Sequence, residues 1–258
     1  MAIDLLQRVR VVLVETKHPG NIGAAARAAK TMGMGELWLV APAEFPSRQA
    51  AIQAAGALDL LQRAKVVEEL TQAVTDCGLV IGTSARERRI PWPLVDPRQG
   101  GRLAVAEARH HPVALVFGRE DRGLTNEELQ RCTHHLHIPA DPTYPSLNLA
   151  MAVQVLCYEV RMAWLEAQGG RGLASSAREV PAARHADLER FFQHLEETLV
   201  TIGYLDPENP RQTMARLRRI FLRARCDEKE LALLRGVLTA TQEAARSRDE
   251  MMRGDADR

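Results

Sequence analysis

No apolar run in this chain approaches the roughly 20 residues that a membrane-spanning helix needs, and the opening Met1-Ala2-Ile3-Asp4 lacks the basic stretch and apolar core of a secretory leader. The expectation is a soluble, cytoplasmic protein with no membrane partner. Cysteine is scarce: Cys77, Cys132, Cys157 and Cys226 form no CxxC pair. Buried, reduced thiols are expected rather than a redox or metal site. With 34 Lys and Arg against 33 Asp and Glu, the net charge is only +1. A general electrostatic attraction to nucleic acid is thereby excluded, and any basic signal must be local.

Several motifs that would fix a chemistry are missing too. No GxGxxG follows the first apolar run and no GxxxxGK[ST] occurs, which removes the defining turns of dinucleotide and P-loop sites. Ser146 has no GxSxG elbow around it, so it is not read as a hydrolase nucleophile. His134, His135 and His137 cluster, but no carboxylate or cysteine nearby completes a ligand set, and a solvent-facing strand end is expected instead of a metal.

What the sequence does contain is a rhythm. Apolar, β-rich runs recur at residues 9–14, 36–40, 79–82, 113–117 and 135–138, with helical patterns at 22–31, 68–76, 102–108, 125–131 and 147–168. Alternation of this kind argues for an α/β fold, a parallel sheet covered by helices. Residues 169–184 turn to Gly, Ser, Ala, Pro and charge, and read as a linker. Three helical stretches follow at 187–201, 211–224 and 228–248, without a strand signal. The organisation expected is an α/β domain over 1–168, a linker over 169–184 and a small all-α extension over 185–258. So small a helical unit needs a packing partner, either the first domain or a second copy of the chain.

Three strand exits carry polar, glycine-bearing segments. In open α/β sheets ligands collect outside the carboxyl ends of the strands, so these segments are candidate walls of one site. The first is His18-Pro-Gly-Asn-Ile-Gly-Ala-Ala-Ala-Arg27, where Pro19 and Gly20 are expected to turn the chain and Asn21 to cap a helix, with Arg27 pointing back over the crevice. A capped helix with a solvated arginine explains the same residues. The second is Phe117-Gly-Arg-Glu-Asp-Arg-Gly-Leu-Thr125, leading into a Thr125…Glu128 capping box. Gly118 there permits close approach. Glu120 is placed to accept hydrogen bonds from a hydroxyl or an arginine, or else to pair with Arg119 or Arg122. The third is Pro142-Thr-Tyr-Pro-Ser-Leu-Asn-Leu-Ala-Met151, with Ser146 the expected N-cap and Asn148 a polar amide that needs a partner. A weaker fourth is Ile81-Gly-Thr-Ser-Ala-Arg86. Far from these, Arg211, Arg216, Arg218, Arg219, Arg223 and Arg225 crowd one helix with no acid among them, a stripe able to track RNA phosphates or simply a solvated face above Leu217, Ile220, Phe221 and Leu222.

Taken together, Asn21…Arg27, the Phe117-Gly118-Arg119-Glu120 turn with Gly123-Leu124-Thr125, and Ser146-Leu147-Asn148-Leu149 resemble, in order and spacing, the three signature motifs of the SPOUT class of RNA methyltransferases. Val14-Glu15-Thr16, Thr83-Ser84-Ala85-Arg86, Pro91-Trp92-Pro93, residues 188–195 and the Arg216-Leu-Arg-Arg219 helix further resemble the bacterial tRNA 2′-O-methyltransferases of anticodon-loop nucleotide 32. The resemblance implies S-adenosylmethionine as methyl donor, tRNA as substrate, pairing as a homodimer, and a deep trefoil knot in the last third of the first domain. By it Thr83, Ser84, Ala85, Gly118, Ile138, Ser146, Leu147 and Asn148 line the donor pocket. Asn21, Arg27, Arg86, Glu120, Arg216, Arg218 and Arg219 face RNA. A guanidinium keeps its proton at neutral pH. Charged Arg27 is therefore expected to hold a phosphate and steady the developing alkoxide, with Ser146 or water taking the proton. The rival reading is a non-catalytic RNA-binding scaffold of the same fold.

Overall fold

The computed structural model describes residues 5–84, 94–169, 182–208 and 212–256. The chain divides into two compact units, Met1–Pro181 and Ala182–Arg258. The first unit carries, in chain order, β1 (Val9–Val14), α1 (Pro19–Met32), β2 (Glu36–Val40), α2 (Arg48–Ala54), α3 (Leu58–Gln62), β3 (Lys65–Val67), α4 (Leu70–Val74), β4 (Leu79–Thr83), β5 (Leu94–Val95), α5 (Pro97–Glu107), β6 (Val113–Phe117), α6 (Asn126–Gln130), β7 (His134–Leu136) and α7 (Leu149–Gly169). The second carries α8 (His185–Thr201), α9 (Thr213–Ala224) and α10 (Glu228–Ala256).

All seven strands are parallel, in the order β3-β2-β1-β6-β4-β7-β5. A parallel sheet with helices on both faces buries both faces of its strands. Every residue of β1 and β6 is accordingly buried. Val9, Val11 and Leu13 enter the core shared with α1, α5 and α7, while Val12 and Val14 enter the core on the opposite face. Chain order reverses at β1, with β2 and β3 on one side and β6 and β4 on the other, so the carboxyl ends of β1, β6 and β4 border the crevice where such folds bind ligands.

The four long apolar runs at β1, β2, β4 and β6 fall where the sequence places them. The fifth strand ends earlier than expected, at Leu136 rather than Ile138. The edge strands β3 and β5 escaped the sequence reading because they are three and two residues long, too short for a period to register. The histidines differ from expectation as well. His134 and His135 are buried, not solvent-facing, because β7 lies inside the sheet between β4 and β5. His135 Nε2 sits 2.8 Å from the Leu129 carbonyl, which is how a buried imidazole is satisfied.

Helix starts also move. Pro19 and Gly20 form the first turn of α1 rather than a preceding turn, with Pro19 at a position that has no intrahelical N–H partner to lose. Asn21 therefore lies inside the first turn and His18 precedes it without a side-chain cap. Gly33 closes the helix in the left-handed conformation at φ 86°. All four cysteines are buried thiols. Burial pushes the Cys77 and Cys157 thiols up to about 12, so neither is a nucleophile at neutral pH.

In the second unit Phe191, Phe192 and Phe221 pack together, with Phe191 edge-on to Phe221 at 4.7 Å. Helices α8 and α10 run side by side in the same direction, since Arg184 pairs with Glu228 at one end and Gln242 donates to Thr198 Oγ1 at the other. Of the residues expected beneath the arginine stripe, Leu222 is buried and Leu217 and Phe221 are half-buried, but Ile220 is exposed. The expected linker falls largely on residues 170–181, outside the described residues.

Candidate active site

Three strand exits meet through side-chain hydrogen bonds. Asn148 donates from Nδ2 to Asn21 Oδ1 at 3.1 Å, and Asn21 donates from Nδ2 to Glu120 Oε1 at 2.8 Å. The backbone amides of Lys17 and His18 also donate to Glu120, at 3.0 and 3.1 Å. Burial alone would raise the Glu120 carboxyl, but the hydrogen bonds from Asn21 and those amides outweigh it and hold its pKa below the ordinary carboxylate value. Glu120 thus spends its acceptors inside the protein, on Asn21 and two amides rather than on Arg119 or Arg122. The partner that Asn148 required is the side chain of Asn21, in the first turn of α1. Asn148 Oδ1 accepts from the Ala150 amide at 2.9 Å, so Asn148 caps α7, in place of the expected Ser146.

A second set of contacts fastens the loop after β1 to the loop after β6. Arg119 is buried, donates to both Glu128 carboxylate oxygens at 2.9 Å and to Glu15 Oε2 at 2.7 Å. The hydrogen bonds to Glu15 and Glu128 raise the Arg119 pKa, and Arg119 in turn lowers that of Glu15. Glu15 reaches it because its backbone is left-handed, at φ 46°, turning the chain sharply out of β1. Lys17 Nζ lies 2.5 Å from Asp121 Oδ2 across the same gap. The Thr125…Glu128 capping box forms as expected, with Glu128 shared between the Thr125 amide and Arg119.

Gly118 is explained by the chain itself. A Cβ there would lie 2.1 Å from Gly123 C and 2.2 Å from Leu124 N, so the loop folds back onto the space a side chain would take. This tight turn opens a cavity of about 270 Å³ lined by Thr83, Ser84, Gly118, Ile138, Ser146 and Leu147, together with the 119–124 turn, Leu136, Pro145, Leu149 and Ala152. That volume approaches the roughly 300–1,000 Å³ of small-molecule sites. The wall is mixed, with apolar side chains, hydroxyls and the charged 119–122 turn all contributing. Ser84 is held from two directions, its amide on the Leu136 carbonyl at 2.9 Å and its carbonyl 3.1 Å from His137 Nδ1.

Six of the eight residues expected around the donor therefore line one cavity. Asn148 is outside the wall, linked to it through Asn21 and the wall residue Glu120, and Ala85 lies outside the described residues, as does Arg86. Arg27 is not in the cavity wall. It sits six residues beyond Asn21, about 9 Å further along the α1 axis, exposed and without a side-chain partner among the described residues. The arginines of α9 separate. Arg216 and Arg223 are exposed and unpartnered, whereas Arg218 donates to both Glu189 oxygens at 2.6 and 2.9 Å and stacks 4.5 Å above the Phe192 ring. Arg219 is half-buried in the same helix. The sequence reading missed Glu15, Lys17, Asp121 and His137 as parts of the site. Nothing local marks an ion pair between residues 104 positions apart.

Known proteins resemble this chain over most of its length. Residues 8–158 match the SpoU rRNA Methylase family, and residues 186–250 match the C-terminal domain of tRNA methyltransferase TrmJ. A tRNA (cytidine/uridine-2′-O-)-methyltransferase TrmJ of Klebsiella pneumoniae is 54% identical over 239 residues, 93% of this chain and 98% of its own. The tRNA (cytidine/uridine/adenosine-2′-O-)-methyltransferase TrmJ of Pseudomonas aeruginosa is 53% identical over 248 residues, 94% of this chain and 96% of its own. Among solved structures, TrmJ from Z. mobilis ZM4 superimposes with a TM-score of 0.77 at 31% identity, covering 90% of this chain and 97% of that one. With more than half its length matched by the family and its relatives spanned nearly end to end, the chain belongs to the SpoU rRNA Methylase family and carries behind that domain the C-terminal domain of tRNA methyltransferase TrmJ.

Proposed function

We propose that this protein transfers a methyl group from S-adenosylmethionine to the ribose 2′-oxygen of a cytidine or uridine at nucleotide 32 of the tRNA anticodon loop. The observation that carries the reading is the hydrogen-bonded convergence of Asn21, Glu120 and Asn148 beside a cavity lined by Thr83, Ser84, Gly118, Ile138, Ser146 and Leu147. The names of the relatives support tRNA as substrate and the 2′-oxygen as acceptor.

The residues present fit the donor. Leu136, Ile138, Leu147 and Leu149 offer an apolar wall for a purine, and the Gly118 backbone and the Ser146 hydroxyl offer polar groups for its edge. S-adenosylmethionine supplies a methyl carbon already activated by its sulfonium. The chain itself must mainly orient the ribose oxygen and ease loss of its proton. Charged Arg27, exposed and unpartnered among the described residues, holds a phosphate beside the target and stabilises negative charge on the 2′-oxygen. Ser146, in the cavity wall, or a water takes the proton. Asn21 and Glu120 act by fixing the loop from which α1 departs rather than by direct contact with RNA. Arg216 and Arg223 supply the exposed phosphate-tracking positions of the helical unit, and Arg218 serves that unit's packing.

Two further features belong to the same reading. Met151, Tyr158 and Leu165 are exposed at intervals of seven along α7, an apolar stripe that fits pairing with a second copy. The late strand β7 enters between β4 and β5, both earlier in the chain, an arrangement that supports a trefoil knot. Nucleoside mass spectrometry of tRNA from cells with and without the protein tests the activity. Loss of 2′-O-methylated C32 and U32 is expected, and unchanged nucleosides would overturn it. Calorimetry with S-adenosylhomocysteine separates an enzyme from a scaffold, which would bind none. Sedimentation should give a dimer, and Arg27→Lys should lower the single-turnover rate by about tenfold or more because an ammonium lacks the planar fork.

A further inference from the structure

We infer that the ring of Tyr144 is the stacking platform for the base of the target nucleotide, an assignment that rests on the tRNA methyltransferase reading. An enzyme that acts on a ribose must still hold the attached base. The relatives' names span cytidine and uridine in one case and adenosine as well in another. Hydrogen bonds to base edges would discriminate among these, whereas stacking accepts any base because each has a π face.

Tyr144 has the placement and stiffness this requires. It is 79% exposed, and its phenol makes no hydrogen bond among the described residues. Among the described residues the other exposed aromatics are Tyr158, on α7, and Tyr204, in the helical unit. The residues that follow it, Pro145, Ser146 and Leu147, line the cavity. Asp141 Oδ1 accepts from the Thr143 amide at 2.8 Å and from Thr143 Oγ1 at 2.5 Å, and the Tyr144 amide donates to the Asp141 carbonyl at 3.0 Å. With Pro142 and Pro145 on either side, the turn holds an aromatic ring in water beside the cavity, where an apolar side chain has no folded-state role to explain it. Phe117, the aromatic in the cavity wall, is buried and unavailable for this purpose.

The test uses the full-length protein and an anticodon stem-loop carrying cytidine, uridine or an abasic ribose at the target position. Tyr144→Ala is expected to lower kcat/KM by roughly five- to a hundredfold, from the usual cost of deleting a base–aromatic stack. The loss should be similar for cytidine and uridine, S-adenosylhomocysteine binding should be unchanged, and Tyr144→Phe and Tyr144→Trp should restore most of the activity. On the abasic stem-loop, wild type and Tyr144→Ala should become indistinguishable in binding. Tyr144→Ala activity equal to wild type, or additive losses from the abasic site and the alanine, would overturn the assignment. A wild-type protein that binds no S-adenosylhomocysteine and methylates no stem-loop would instead overturn the functional reading beneath it.

Discussion

The clasp between the β1 and β6 loops and the arginine face of α9 are both rich in charge, yet they are built on opposite terms. In the clasp, Glu15, Lys17, Arg119, Glu120 and Asp121 are each matched to a partner within the protein, and Arg119 is fully enclosed. On α9, Arg216 and Arg223 face water without partners among the described residues. Charges already satisfied fix geometry before a ligand arrives. Charges left solvated attract a polyanion without specifying its pose. The comparison separates the part of the molecule suited to chemistry from the part suited to grip.

Gly118→Ala strikes the clasp hardest. A Cβ at 2.1 Å from backbone forces the 119–124 turn to move, so we expect a loss of about 1–3 kcal/mol in denaturant unfolding, the usual cost of overpacking, and abolition of S-adenosylhomocysteine binding. Near-normal binding would mean that the turn is softer than its contacts imply. Replacing Glu120 with Ala removes the acceptor of the half-buried Asn21 amide and of the backbone N–H groups of two exposed residues, Lys17 and His18, and about 1–2 kcal/mol of stability should go with it.

The same carboxylate gives the clasp an acid limb. Because the folded-state pKa of Glu120 lies below its unfolded value, its contribution is present above the ordinary value of about 4.3 and is lost as pH falls through the lower folded value. Glu15 behaves in the same direction through Arg119. Chemical denaturation between pH 6 and roughly pH 3 should therefore show stability falling, and less steeply in Glu120→Gln, which has no proton to gain. An identical slope in the variant would remove Glu120 from the clasp's acid response.

On the other side of the comparison, the Arg216→Ala, Arg223→Ala double variant should leave folding and donor binding intact while weakening tRNA binding. The slope of log K against log salt should become shallower by about 1.4–1.8, the share of two phosphate contacts. Arg218→Ala should do the reverse, costing the helical unit about 1 kcal/mol through the lost Glu189 pair and Phe192 stack while the salt slope stays put. A changed slope there would return Arg218 to the RNA face.

Much of this was legible beforehand. The long strands β1 and β6 announce themselves as apolar runs because both faces are buried, and the Thr125…Glu128 box is a local signal with a local cause. Strand exits that carry Gly and Ser are candidate walls in the sequence, and Ser84, Gly118 and Ser146 do line the cavity. Two expectations fail for different reasons: Ser146 and Asn148 are both good caps two residues apart, and the Ala150 amide selects Asn148, whereas the arginines of α9 are alike in sequence and only remote Glu189 and Phe192 set Arg218 apart.

By itself the sequence determined the parallel α/β scaffold, the helical tail and the identity of the segments that gather at the strand ends, since each depends on periodicity and turn chemistry within a few residues. Only the tertiary structure decided which polar groups are already consumed by one another and which remain for a ligand. Hydrogen bonds between residues about a hundred positions apart leave no periodic trace in the chain, and they exist only once the sheet has brought the ends of β1 and β6 side by side.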